Sequence, residues 1–110
     1  GVSGALHVHR VDAQCRTEYL GTVKLDRPAL ALALPPGQAR YLVVAFDTSS
    51  LLGGSRSTSA GTFVVPRPGR RYELAVRYRD SVYDVSLSES DGRTRRALPH
   101  REPEGCRGTG

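Results

Sequence analysis

Residues 70–90 read RRYELAVRYRDSVYDVSLSES, and the alternation in this stretch decides the fold. From Arg71 to Arg79, the apolar side chains Tyr72, Leu74, Val76 and Tyr78 fall at every second position. Arg71, Glu73, Arg77 and Arg79 occupy the positions between them. A period of two puts the first set on one face of a strand and the charged set on the other. Asp80-Ser81 predicts a tight reversal, after which Tyr83, Val85 and Leu87 repeat the pattern over Val82–Glu89. Two half-buried strands joined by a short turn make an antiparallel hairpin.

Downstream, Ser90-Asp91-Gly92-Arg93 carries the Asp-Gly pair favoured by type I′ hairpin turns, and a last strand is expected over Thr94–Leu98. Upstream, the Arg67-Pro68-Gly69-Arg70 turn is preceded by a short strand, Thr62–Val65, that ends at Pro66. Arg40–Asp47 (RYLVVAFD) is apolar on both faces, as a central strand must be. Ala29–Leu34 alternates Ala with Leu. A helix there is too short to be stable between Pro28 and Pro35-Pro36-Gly37, so a strand is expected. Tyr19–Leu25 and Ala5–Val11 complete the series; in the latter, Leu6 and Val8 alternate with His7 and His9. Strands at this spacing, with Gly/Pro punctuation, predict an all-β antiparallel sandwich of about seven or eight strands, with a small β-barrel as the alternative. Residues 1–98 form the single domain of this scheme, and residues 99–110 a C-terminal tail.

The chain has 110 residues, 38% hydrophobic and 25% charged, which suits one small domain with one core. No apolar run approaches the ~18 residues of a membrane span. The 12 Leu and 11 Val, set in periodic runs, disfavour disorder. Basic residues dominate, giving a net charge of +5, yet they comprise 15 Arg and 1 Lys, and Ile, Asn, Met and Trp are absent. That bias is the mark of GC-rich codons in a bacterial genome. Eleven acidic residues are interspersed, and Arg71, Arg77 and Arg79 share a strand face with Glu73. These arginines form a candidate basic surface for an anionic envelope component. With no nucleic-acid motif, no nucleic-acid partner is expected.

Cys15 and Cys106 belong to no C-x-x-C pair and to no thiol-nucleophile signature. A disulfide between them would tie the tail to the first hairpin, and closing so long a loop is worth roughly 4–5 kcal/mol at most. Such a bond points to an oxidising compartment. The alternative is two unrelated buried thiols in a cytosolic protein. The start Gly-Val-Ser-Gly fits a processed export signal or a trimmed chain. The expected location is therefore periplasmic or outer-membrane-associated.

No catalytic constellation emerges, and no cofactor is expected. His7 and His9 leave one strand face together and are weak candidates for a metal, with His100, Cys15 or Cys106 as further ligands. The other account is the polar face of an outer strand. There is no G-x-S-x-G motif, and Asp80, Asp84, Glu89 and Asp91 read as turn and strand-surface residues. Asp47–Gly61 (DTSSLLGGSRSTSAG) reads as a loop and lacks the P-loop spacing. It either presents Leu51, Leu52 and Arg56 to a partner or tucks its leucines under the sandwich. Tyr72, Tyr78 and Tyr83 are expected in the core, not as an exposed stacking platform.

From Ala29 to Glu89 the order of features runs LALPPGQARYLVVAF, a Ser/Gly loop, TFVVPRPGRRYELAVRY and YDVSLSE. This order resembles small exported bacterial β-domains of the PEGA/DUF2846 type over a little over half of the chain. In these a strand ends in a Pro-Gly turn, an apolar strand follows, and a later Gly–basic–Tyr step opens another strand. The resemblance implies a lipoprotein or surface-associated module with no catalytic residues. The expected function is a non-catalytic envelope protein, a lipoprotein or a periplasmic sandwich, acting through protein–protein or envelope contacts. A carbohydrate- or peptidoglycan-binding module is the alternative, and a small metal-dependent enzyme built on His7 and His9 comes third.

Overall fold

The computed structural model describes residues 2–50, 54–79 and 82–102. Alternating sequence becomes eight strands among these residues: β1 (Val2–Val11), β2 (Thr17–Leu25), β3 (Ala29–Leu32), β4 (Arg40–Ser50), β5 (Gly54–Val64), β6 (Arg71–Arg79), β7 (Val82–Ser90) and β8 (Arg95–Leu98). They form two four-stranded antiparallel sheets, ordered β2-β1-β4-β5 and β3-β6-β7-β8. The chain passes between sheets after β2, β3 and β5. Neither sheet closes on itself, so the architecture is a sandwich and not a barrel.

The inward faces supply the core. Leu6, Leu42, Val44, Phe46 and Val64 from the first sheet meet Tyr72, Leu74 and Leu87 from the second. Removing these side chains from water is the main favourable term, at roughly 2 kcal/mol for each large apolar group. β4 lies between β1 and β5; its inward Leu42, Val44 and Phe46 are buried, while Tyr41, Val43 and Ala45 on the outer face are half-buried. On its outer face Tyr41 lies across β5 at Gly61, where any Cβ would overlap the tyrosine ring and hydroxyl.

Several sequence expectations require correction. Residues 47–50 and 54–61 are not loop: they continue β4 and β5, paired from Asp47↔Ser57 to Ser50↔Gly54. Their Gly/Ser composition hides them because a backbone ladder, rather than a hydrophobic period, defines this part of the hairpin. The Asp91-Gly92 turn is not a two-residue type I′ turn, because Ser90 pairs with Arg95 across residues 91–94. Gly92 takes a left-handed φ of 95°, and Asp91 Oδ1 accepts bonds from the backbone N–H groups of Arg93 (2.8 Å) and Thr94 (2.9 Å). Those bonds hold the Asp91 carboxyl below its ordinary pKa. β1 is an inner strand, not an outer one.

The largest departure is Glu89. It follows Val85 and Leu87 at the same alternation and is 5% exposed, not a surface residue. A buried carboxylate is costly unless charged partners and hydrogen bonds surround it. Tyr72 donates to Glu89 Oε2 at 2.7 Å, and the Tyr72 hydroxyl accepts from the Arg67 backbone N–H at 2.8 Å. The Arg67 guanidinium donates to the same carboxylate, and Arg96 Nη2 lies 3.4 Å from Oε1. One acidic side chain thus joins the turn before β6 to β6, β7 and β8. Its pKa falls to about 2, chiefly through the Arg67 hydrogen bond acting against burial, with help from Tyr72.

Because the folded pKa lies below the ordinary value of 4.5, this contribution is fully present above about pH 4.5 and is lost as pH falls towards 2. Arg67 is half-exposed, so water screening trims the effect to about 2 kcal/mol. Denaturant titrations of the wild type should show stability falling by that amount across this window. Glu89→Gln should be less stable at pH 7 and should flatten this part of the profile.

Candidate functional site

A sandwich of two open sheets has two seams, and here they differ. At the β5/β8 seam, residues 99–102 run along β5. Phe63 donates its backbone N–H to Arg101 O at 2.8 Å, and the Arg101 guanidinium lies 5.4 Å from the Phe63 ring centre. His100 spans the two sheets: Nε2 is 3.2 Å from Val85 O and Nδ1 is 2.8 Å from Thr62 Oγ1. A carbonyl can only accept, so Nε2 donates to it; in the neutral ring Nδ1 then accepts from the buried Thr62 hydroxyl. Tyr41 donates to Glu102 at 3.2 Å. The start of the tail is therefore held by its own bonds. The cavity behind it is about 10 Å³, at the limit for one water.

The β2/β3 seam is open. These are the edge strands of their sheets and do not pair with each other. Between them lies an apolar slot of about 430 Å³. Leu6, Val8 and Leu42 form its floor, and Leu30, Leu32 and Leu34 form one wall. Leu20 and Val23 form the other wall and remain 47% and 40% exposed. The position of Leu20 comes from a bulge: Val8 pairs with Gly21 and His9 with Tyr19, leaving Leu20 without an opposite residue. The Ala/Leu alternation of 29–34 works on this wall by sending each leucine inward, half-buried.

Among the described residues, Arg40 is the one charged residue lining the slot. It continues the inward alternation of Leu42, Val44 and Phe46 and is 8% exposed. Its guanidinium donates to Ala39 O at 3.1 Å and to Gln38 Oε1 at 3.0 Å. No carboxylate among the described residues forms an ion pair with it. The residue opposite on β1 is Arg10, whose own partner is Glu18.

His7 and His9 share the outer face of the first sheet. His7 Nδ1 is 2.8 Å from Thr22 Oγ1, and the His9 ring centre is 5.7 Å from Tyr19 and 6.2 Å from Tyr41. His100 is at the far seam, Cys15 in the β1–β2 turn, and no cluster of three metal-ligating residues occurs among the described residues. Arg71 and Arg77 are exposed on the outer face of β6. Their neighbour Glu73 pairs with Arg95 at 3.3 Å, and Arg77 faces Asp84 across the strand pair, so carboxylates are interspersed among the arginines of this face. Arg79 lies at the end of β6, and Arg56 belongs to β5 and not to a loop. Leu51, Leu52 and Cys106 lie outside the described residues, as do the Tyr78 and Tyr83 side chains. Tyr72 is in the core, as expected. Cys15 adopts a left-handed φ of 65° in a turn capped by the Asp12 carboxylate, and no described cysteine is free. No helix among the described residues is long and apolar enough to cross a membrane.

Sequence reasoning missed the slot. Arg40 was detectable, because its parity matches Leu42; the bulge at Leu20 left no local signal.

If His100 seals its seam, His100→Ala leaves the Thr62 hydroxyl buried without this partner, at a cost of about 1–2 kcal/mol. Exchange of the Phe63 amide hydrogen should then accelerate by about tenfold, measured by NMR, while amides in β6 change no more than global stability requires.

No protein family, curated protein or solved structure matches the chain.

Proposed function

We propose that this domain is a non-catalytic binding module of the bacterial envelope, exported to the periplasm or outer membrane as a lipoprotein or periplasmic domain, like the PEGA/DUF2846-type modules it resembles. The observation that carries this reading is the unequal pair of seams. One is closed by residues 99–102, while the other keeps an apolar slot with exposed leucine and valine at its lip. Apolar surface left open on a small domain is typical of a binding surface. The net charge of +5 favours encounter with an anionic envelope component.

A Cys15–Cys106 disulfide is part of the proposal. The absence of a free described cysteine supports it, and an oxidising compartment would maintain it.

A second reading, a carbohydrate- or peptidoglycan-binding module, draws on the outer face of the first sheet, where Tyr19 is 58% exposed beside His7 and His9. Rings on a flat sheet can stack on sugars. Retention on peptidoglycan that survives high salt and is lost in Tyr19→Ala would select it over the slot.

Fractionation of cells expressing the complete gene product tests the main reading. The chain is expected in the envelope fraction, with one disulfide and no titratable thiol by non-reducing mass spectrometry. A cytosolic protein with two free thiols would overturn it.

A further inference from the structure

We propose that the slot between β2 and β3 binds a single-chain fatty acid, with its hydrocarbon tail between the sheets and its carboxylate on Arg40. This rests on the domain being a binding module and names the ligand class of that same site. About 430 Å³ falls within the range of small-molecule pockets. Apart from Arg40, the lining residues are Leu, Val, Ala and Pro. An acyl chain needs no hydrogen bonds, so a lining of apolar side chains is sufficient for it.

The head group is chosen by charge. Arg40 is buried at one end of the floor, beside Leu42, and its planar fork has more donors than the bonds to Ala39 O and Gln38 Oε1 use. A buried cation with only neutral acceptors is an incomplete arrangement. Arg10 directly opposite adds a like charge, and among the described residues Glu18 pairs with Arg10 and not with Arg40. A ligand carboxylate would complete the cluster with charge-assisted, bidentate bonds. Register sets the direction of the tail: Leu42 pairs with Val8, Val44 with Leu6 and Leu6 with Val23, so the apolar floor runs away from Arg40 towards Val23.

Titration calorimetry with sodium dodecanoate below its micellar concentration tests this, with dodecyltrimethylammonium as the same chain carrying the opposite charge. Dodecanoate should bind saturably, one per chain, and about tenfold or more tighter than the cation. Arg40→Met keeps the apolar stem and should erase that preference. Leu20→Asp places a charge at the lip, where Leu20 is 47% exposed, and should weaken both ligands. Absence of saturable binding, equal affinity for the two amphiphiles, or tighter binding of a leucine-rich peptide would each overturn the inference. Fractionation and thiol state are untouched by these outcomes, so failure of the ligand and failure of the envelope assignment remain separable.

Discussion

Two sheets whose inner faces must leave water, but whose edges do not pair with each other, set the constraint on which the rest of this structure depends. Each sheet of four antiparallel strands has two edges, and each edge exposes backbone groups and the flank of the core. At the β5/β8 side the chain supplies its own cover, with a backbone bond from Phe63 and a histidine that spans the sheets. At the β2/β3 side it supplies none among the described residues, and the apolar interior reaches the surface as a slot. The difference between the two sides follows from where the chain continues after β8.

The two buried charges respond to this asymmetry in opposite ways. Glu89 is embedded in arginines and a tyrosine hydroxyl, and its depressed pKa reflects a carboxylate whose charged form is fully supported. That cluster fixes the turn at Arg67 and the pairing of β6, β7 and β8. Arg40 has neutral oxygens for company and lies beside a cavity. One buried ion completes the fold, while the other, held by neutral oxygens, is the anchor we propose for a ligand carboxylate.

Much of the architecture was legible because half-buried strands write a period of two. The 71–90 hairpin and the strand at 29–34 followed from that rule, and the central strand at 40–47 from its apolar run on both faces. The Gly/Ser-rich arms of the β4–β5 hairpin did not, since a ladder of backbone bonds carries no side-chain period. Glu89 was misread because a charged residue at an inward position looks like a strand end unless its arginine partners, distant in sequence, are placed beside it. The slot was hidden for a related reason. Which edges face each other is a property of sheet order, and the bulge that turns Leu20 into the lip is a register shift with no residue signature.

We propose that the open seam, rather than an outer sheet face, is where this domain meets its ligand. Isotope-edited nuclear Overhauser spectroscopy of the dodecanoate-loaded protein tests it most directly. The account predicts contacts from the chain methylenes to the methyl groups of Leu6, Leu20, Val23 and Leu30, with the carboxylate end nearest Arg40. Contacts to the outward-facing Val43, or to no methyl group of the slot, would contradict it.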